Sequence, residues 1–218
     1  MHAKTPKSLG IILLALFVLF TILVKTVDVA PVGPEGSSVG LAGMNQAFHT
    51  LTGYQTTAYT VSKYTGYVAL LLPVCMTFYA LLLAVRRQKG QPLDRDLWFL
   101  IGLYAVVAVI YVFFEKFIIN YRPVILNPAE GLEASYPSSH TLIAICVFVS
   151  AADQFRRRIR MDALRKAAVA LCYLLMAVII LCRLISGVHW LTDILASLLL
   201  GSGLVLVYLG LVNDSLHA

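Results

Sequence analysis

Charged residues are scarce in this chain of 218 residues. Asp, Glu, Lys and Arg make up only 13% of it, and 60% of the residues are apolar. A soluble domain has about a quarter of its residues charged, so this composition excludes a water-soluble globule. The high apolar content also excludes a disordered chain or a coiled coil. The sequence therefore predicts an integral membrane protein.

Cysteine is also rare, and each of the four cysteines lies alone within an apolar run: Cys75, Cys146, Cys172 and Cys182. This pattern is typical of small core residues and differs from a disulfide framework or a zinc ribbon. No internal repeat, low-complexity tract or separate soluble domain is apparent. We therefore interpret residues 1–218 as a single membrane-embedded domain.

Apolar runs suited to membrane helices, which need about 20 residues each, occur six times. They are Leu9–Thr26, Tyr64–Val85, Leu97–Ile119, Ser138–Gln154, Ala167–Ile185 and Leu191–Val212. The first run is at the upper length limit for a signal peptide and lacks a clean cleavage site after it, so we interpret it as a retained helix. The fourth is short, which suits a helix that begins in a cavity below the membrane surface. The predicted fold class is all-α, a bundle of six transmembrane helices.

The placement of Lys and Arg predicts the orientation, because cytoplasmic segments are enriched in these residues. With six spans, one side holds twelve of the 17 cationic residues: Lys4, Lys7, Arg86, Arg87, Lys89, Arg95, Arg156, Arg157, Arg158, Arg160, Arg165 and Lys166. Both termini are therefore expected in the cytoplasm of a cell whose plasma membrane the chain spans. The cluster after the fourth run lacks interleaved aromatic residues, so it is interpreted as a topology signal and not as a nucleic-acid site.

The longest outer connection, between the first two runs, contains apolar residues at helical spacing: Leu41, Met44, Phe48 and Leu51. This spacing predicts a short amphipathic helix. We expect it to lie in the membrane interface beside the outer mouth of the bundle. A cover packed directly on the bundle fits the same pattern.

Polar residues gather at the outer ends of separate segments, although chance would scatter them over both faces. The set comprises Glu115, Lys116, Arg122, Ser138, Ser139, His140, Arg183, His189 and Asp193. Ionisable groups at membrane depth are costly, which makes them candidates for function. The sequence therefore predicts one site at the outer mouth.

The residue types in this set favour phosphate chemistry. His189 and Asp193 share a helical face, so the carboxylate can accept one imidazole N–H and leave the other ring nitrogen free to attack. Ser138 and Ser139 stand at a helix N-terminus, where unpaired N–H groups bind anions. Arginine supplies planar donors that match phosphate oxygens, and a histidine in the same turn, His140, can protonate a leaving oxygen.

A zinc site is an alternative, since two histidines and an aspartate are suitable ligands. Two arginines and a helix N-terminus in the same pocket would repel a cation, so we expect no metal and no other cofactor. Salt bridges that only tie helices together are a second alternative. They do not explain why hydroxyl groups, cations and two histidines gather at one mouth.

Three motifs in order resemble the type 2 phosphatidic acid phosphatase family, membrane relatives of the vanadium haloperoxidases. Its signature is a Lys and, after six residues, Arg-Pro; then Pro-Ser-Gly-His; then Ser-Arg, five residues, His, three residues and Asp. The matching residues here are Arg122-Pro123, Pro137-Ser138-Ser139-His140, and Cys182-Arg183 with His189 and Asp193. The chain departs from the signature at Glu115, where the family has Lys; at Ser139, where it has Gly; and at Cys182, where it has Ser.

The resemblance implies a residue role for each motif position. His189 would form a phosphohistidine, Asp193 would orient it and His140 would protonate the leaving group. The phosphate oxygens would be held by Arg122, Ser138, Ser139, Arg183 and Lys116, the last of which lies one residue after the family's lysine position.

The implied activity is metal-independent hydrolysis of a lipid phosphate or diphosphate at the outer face of the membrane. The substrate class is undecaprenyl diphosphate, phosphatidate or phosphatidylglycerophosphate. The expected partners are this lipid and the bilayer, with no nucleic acid and no obligatory protein partner. A lipid phosphotransferase, a non-enzymatic protein that binds or transports lipid phosphates, and an inactive family member are alternatives.

Overall fold

The computed structural model describes residues 6–86 and 94–216, and within these ranges it contains seven α-helices and no β-strand. The helices are α1 (Pro6–Thr26), α2 (Ala42–Thr52), α3 (Thr56–Arg86), α4 (Arg95–Lys116), α5 (Ser139–Arg158), α6 (Asp162–Ile185) and α7 (Leu191–Leu216). The all-α prediction is thus confirmed over the described residues. Three of the cationic residues used to predict the orientation, Lys4, Arg87 and Lys89, lie outside them.

Five helices are long and apolar enough to cross a membrane: α1, α3, α4, α6 and α7. Large apolar side chains on them face outward, for example Leu19, Val74 and Val109. Such a surface suits lipid and not water, so the chain is a multi-pass membrane protein. Helix α3 begins at Thr56, well before the predicted start at Tyr64, because the polar residues after Gly53 continue the same helix.

The fourth predicted run forms α5, which is less apolar than the other five and is not among the candidate spans. Its position explains this difference. Helix α5 packs against α3, α4, α6 and α7, and twelve of its residues are buried. A helix enclosed by other helices needs little lipid-facing surface, so it can carry polar side chains at both of its ends.

Helix α1 packs along α7 through small residues. A Cβ atom at Gly10 would lie 2.8 Å from the backbone oxygen of Gly203, so only glycine permits this approach. Close contact between small residues is a common way for helices to associate in membranes. Helix α1 is therefore an integral part of the bundle.

Helix α2 forms where the apolar spacing predicted it, and Asn45 fastens it to α7. The amide nitrogen of Asn45 donates to the hydroxyl of Thr192 at 3.0 Å, and the Thr192 N–H donates back to the Asn45 oxygen at 3.1 Å. Asn45 is fully buried, while Leu51 on another face of α2 is 84% exposed. One face of α2 is thus packed on the start of α7.

Candidate active site

Most of the predicted polar residues meet at one end of the bundle, which we call the site end. It is built from the loop between α4 and α5, the first turn of α5, the last turn of α6, and the first turn of α7 with the loop before it. Ser138, Arg183, His189 and Asp193 are all less than 5% exposed there. The sequence prediction that separate segments contribute to one site agrees with this arrangement.

The loop between α4 and α5 folds back on itself and places Arg122 and Ser135 near each other. The Arg122 N–H donates to the Glu133 carbonyl at 3.0 Å, and the Ser135 N–H donates to the Asn120 carbonyl at 2.9 Å. The guanidinium of Arg122 also forms an ion pair with the Glu133 carboxylate, with 3.1 Å between Nε and Oε2. This short antiparallel pairing orients Arg122 toward the site.

The first turn of α5 is tied to α7 through Ser138. The Ser138 N–H donates to the Asp193 carbonyl at 3.2 Å, and the Ser197 hydroxyl donates to the Ser138 carbonyl at 2.9 Å. The Ser138 hydroxyl bonds to Thr141 and does not cap the helix. The first N–H groups of α5 therefore have no side-chain cap, and the positive end of the helix dipole lies there. Both features favour the binding of an anion.

His189 and Asp193 are brought together as the spacing predicted, but they are not directly hydrogen-bonded. Nδ1 of His189 lies 3.6 Å from Oδ2 of Asp193, which is too long for a hydrogen bond. The Ser135 hydroxyl lies between them, 3.1 Å from Nδ1, and donates to Oδ2. Oδ2 also accepts the Trp190 N–H at 2.8 Å.

The other imidazole nitrogen, Nε2 of His189, is buried and has no hydrogen-bond partner in residues 6–86 and 94–216. The His189 ring lines a small polar cavity of about 30 Å³ together with Arg122, Ser135 and Ser139. Burial lowers the pKa of His189 well below its ordinary value, and the positive charges of Arg122 and Arg183 lower it further. The lowered pKa favours the neutral form of the imidazole.

Arg183 is the most deeply buried cation of the site, with 1% of its surface exposed. Its guanidinium carbon lies 5.3 Å from the centre of the Tyr59 ring, an arrangement that suits a cation–π contact. Among the described residues, its Nε and Nη1 atoms have no hydrogen-bond partner. A buried guanidinium without a carboxylate is costly, so this position favours an anionic ligand.

His140 lines a second and larger cavity, of about 420 Å³, between α3, α4 and α5. Gly66 makes room for this histidine, since a Cβ atom there would lie 2.8 Å from Cδ2 of His140. The remaining lining is mostly apolar: Ala69, Leu70, Pro73, Tyr104, Val107, Ala108 and Val147. Ser139, Tyr111 and Ile143 line both cavities, so the apolar cavity adjoins the polar one.

The structure does not bring Lys116 into the polar cavity. Lys116 is exposed and does not line the cavity, whereas Glu115 does, together with Arg122. Helix α4 continues through Lys116, so consecutive side chains point about 100° apart. The helix therefore orients Glu115, and not Lys116, toward the neighbouring arginine.

Several residues of the site were missed by the sequence analysis. Ser135 contacts both His189 and Asp193, Trp190 donates to Asp193, and Tyr59 packs against Arg183. None of them belongs to the three motifs. The roles of Ser135 and Tyr59 depend on pairing between distant segments, and no spacing in the sequence signals that pairing. Trp190 is different, since it contacts Asp193 from three residues away in the chain.

The fold and site together define a helical membrane protein with a cluster of buried polar and charged side chains at one end of the bundle. The family model described as the PAP2 superfamily matches residues 72–216, more than half of the chain. The chain therefore belongs to the PAP2 superfamily, and the predicted resemblance to membrane phosphatidic acid phosphatases is confirmed.

One similar solved structure is the crystal structure of the first transmembrane PAP2-type phosphatidylglycerolphosphate phosphatase, from Bacillus subtilis. The TM-score is 0.62 at 16% sequence identity, and the match covers 96% of this chain and 97% of that one. At this identity the similarity shows a shared fold. No curated protein sequence matches the chain.

Proposed function

We propose that this protein hydrolyses a lipid phosphate or diphosphate without a metal ion, through a phosphohistidine at His189. The observation that carries the proposal is the neutral, unpartnered Nε2 of His189 beside Arg122 in the polar cavity. A buried nitrogen lone pair next to cationic donors suits nucleophilic attack on a phosphate group.

In the first step, Nε2 of His189 attacks phosphorus in line, and the bond between phosphorus and the leaving oxygen breaks. In the bound state, where the phosphate of the substrate offsets the charges of Arg122 and Arg183, a protonated His140 donates the proton that the leaving oxygen requires. Arg122, Arg183 and the N-terminal N–H groups of α5, including that of Ser139, stabilise the charge on the phosphoryl oxygens. Ser138, whose N–H and hydroxyl are bonded to Asp193 and Thr141, positions this end of the helix.

In the second step, water attacks the phosphohistidine. His140 accepts a proton from this water, the N–P bond breaks and inorganic phosphate leaves. His189 returns to its neutral state and His140 to its protonated state, so the cycle is balanced. Lys116 is not assigned a contact with phosphate in this scheme.

The apolar cavity supports a lipid as the substrate. It adjoins the polar cavity through Ser139 and Tyr111, and His140 lies at its polar end. An acyl or prenyl chain in this cavity would bring its phosphate group toward His189. The substrates that the family resemblance implies are undecaprenyl diphosphate, phosphatidate and phosphatidylglycerophosphate, and the Bacillus subtilis neighbour is described as acting on the last of these.

The proposed topology has six spans, with the central helix α5 as the fourth and α2 at the membrane interface. Both termini lie in the cytoplasm, and the site faces the outer leaflet of the plasma membrane. The uneven distribution of Lys and Arg supports this orientation. The whole chain acts as one domain whose partners are the bilayer and its lipid substrate.

The test is phosphate release by the detergent-solubilised protein, with the three lipids as substrates and EDTA present throughout. The wild type should release phosphate from at least one lipid, and a folded His189→Ala variant should release none. Activity that is lost in EDTA and restored by a divalent ion would contradict the metal-independent mechanism. Equal release by the variant would contradict the role of His189.

A further inference from the structure

We propose that Ser135 is a positioning residue that fixes the tautomer of His189 by linking it to Asp193. This inference rests on the proposed function, because it assigns a role within the same site. Ser135 lies outside the three motifs, and its side chain contacts both His189 and Asp193.

When Asp193 is ionised, the contacts of Ser135 allow only one direction for the hydrogen bonds. A carboxylate accepts and cannot donate, so the single hydroxyl hydrogen of Ser135 is used toward Oδ2 of Asp193. The serine oxygen then faces Nδ1 of His189 at 3.1 Å with only lone pairs. Nδ1 must therefore carry the hydrogen, and the neutral ring leaves Nε2 unprotonated.

The hydroxyl of Ser135 is held firmly in this position. Ser135 is 2% exposed, and its N–H donates to the Asn120 carbonyl at 2.9 Å. The Trp190 N–H fixes the same carboxylate oxygen from the other side at 2.8 Å. Since the loop that carries Ser135 also carries Arg122, one loop orients both the nucleophile and a phosphate-binding cation.

This link also carries charge stabilisation during the reaction. When the bond between Nε2 and phosphorus forms, the imidazole ring of His189 becomes cationic, and its Nδ1 proton stays in place. The polarised hydroxyl of Ser135 transmits the negative charge of Asp193 to that proton. No proton is transferred through the serine, so Ser135 acts on the reaction through His189.

The tautomer is measured directly by ¹⁵N NMR of histidine-labelled protein in detergent, without any substrate. In the wild type we expect His189 to show a protonated Nδ1 and an unprotonated Nε2. In Ser135→Ala we expect a mixture of both tautomers, because Nδ1 loses the serine hydroxyl as an acceptor and keeps only the backbone of residue 135 nearby. Ser150→Ala is the matched control, since Ser150 is a fully buried serine on α5 that bonds to Tyr104 and to its own helix. A wild-type His189 protonated at Nε2, or an unchanged tautomer in Ser135→Ala, would overturn the proposal.

Kinetics provide the second readout. We expect Ser135→Ala to lower kcat by about 10- to 100-fold, as for other partners that orient a functional histidine. KM should stay within about twofold, because the phosphate ligands are unchanged. Ser135→Thr, which keeps the hydroxyl, should recover most of the lost kcat. A purely structural role would lower the amount of folded protein while kcat per folded molecule stays constant, and that result would overturn the proposal.

The two readouts separate failure of this inference from failure of the proposed function. A wild type that releases no phosphate would remove the proposed function, while the tautomer of His189 would still report whether Ser135 controls it. If Ser135→Ala does not fold, the wild-type tautomer and the Ser135→Thr variant decide the question.

Discussion

The two ends of the helix bundle differ in whether their most buried arginine side chains have carboxylate partners. At the opposite end from the site, Arg158 pairs with Asp96 at 2.9 Å and Arg157 pairs with Asp153 at 2.8 Å. At the site end, Arg183 has no carboxylate partner among the described residues, and two of its nitrogen atoms are without a hydrogen bond. The same central helix, α5, contributes to both ends.

We interpret the paired charges at the opposite end as groups that stabilise the fold, and the unpaired Arg183 as a group that binds a ligand in the proposed function. The network at the opposite end joins α4, α5 and α7, since Gln154 donates to both Asp96 and Tyr208. Its principal charges are neutralised within the chain. At the site end the guanidinium of Arg183 has no carboxylate partner among the described residues, and an anionic phosphate would neutralise it.

The largest effect is expected from His189→Ala. The variant removes the proposed nucleophile, so kcat should fall by roughly 10⁴-fold or more. Phosphate release in EDTA measures this loss, and gel filtration in detergent verifies that the variant is folded. A folded variant that keeps more than a small fraction of the activity would contradict the assignment of catalysis to His189 at the site end.

A smaller loss of activity is expected from Arg183→Gln, which removes a buried cation without a carboxylate partner. We expect kcat/KM to fall by about 100-fold, because a charge-assisted contact with the phosphate is lost. The thermal stability of the substrate-free protein should stay the same or rise, since a desolvated charge disappears. A large decrease in Tm would show that Arg183 holds the fold, as the arginines of the opposite end do.

Arg158→Ala should give the reverse result. It breaks a partly buried ion pair with Asp96 and should lower the free energy of unfolding by about 1–3 kcal/mol. The kcat/KM of the folded protein should remain close to the wild-type value. Thermal unfolding and phosphate release on the same sample measure both quantities, and a selective loss of kcat/KM without a change in Tm would contradict this assignment.

Phosphate analogues should stabilise the site end by binding. Vanadate at about 100 times its Kd should add about 2.7 kcal/mol to the stability of the wild type. Arg183→Gln should show a much smaller increase in Tm at the same concentration, while Arg158→Ala should show the full increase. An equal increase in Tm in all three proteins would show that vanadate binds away from Arg183.

The smallest expected effect is that of pH on kcat/KM. Burial and the neighbouring arginines lower the pKa of His189 below its ordinary value of 6.5, so the ring stays neutral as the pH falls through 6.5. The proposed nucleophile should therefore not lose activity at that pH. The unfolded chain does take up this proton below about pH 6.5, so stability should decrease as the pH falls further. A loss of kcat/KM centred at pH 6.5 that follows the titration of His189 would contradict the lowered pKa.

The sequence was sufficient to predict those features that depend on local patterns. The apolar runs predicted the helices, and the spacing of His189 and Asp193 predicted that these residues meet. The buried position of α5 was less predictable, because its moderate apolarity is explained only by the helices that surround it. Long-range pairing explains why Ser135 was missed, since it reaches the site through the folded loop between α4 and α5. The reason for Lys116 is local: α4 remains helical through it, which turns its side chain away.

The most direct test of the central claim is to trap the covalent intermediate. The wild type is mixed with its preferred lipid in EDTA, quenched during turnover under conditions that preserve phosphohistidine, and analysed by mass spectrometry. The proposed mechanism predicts a phosphoryl group on His189 that is absent without the lipid and absent in His189→Ala. A phosphoryl group on another residue during phosphate release would contradict it.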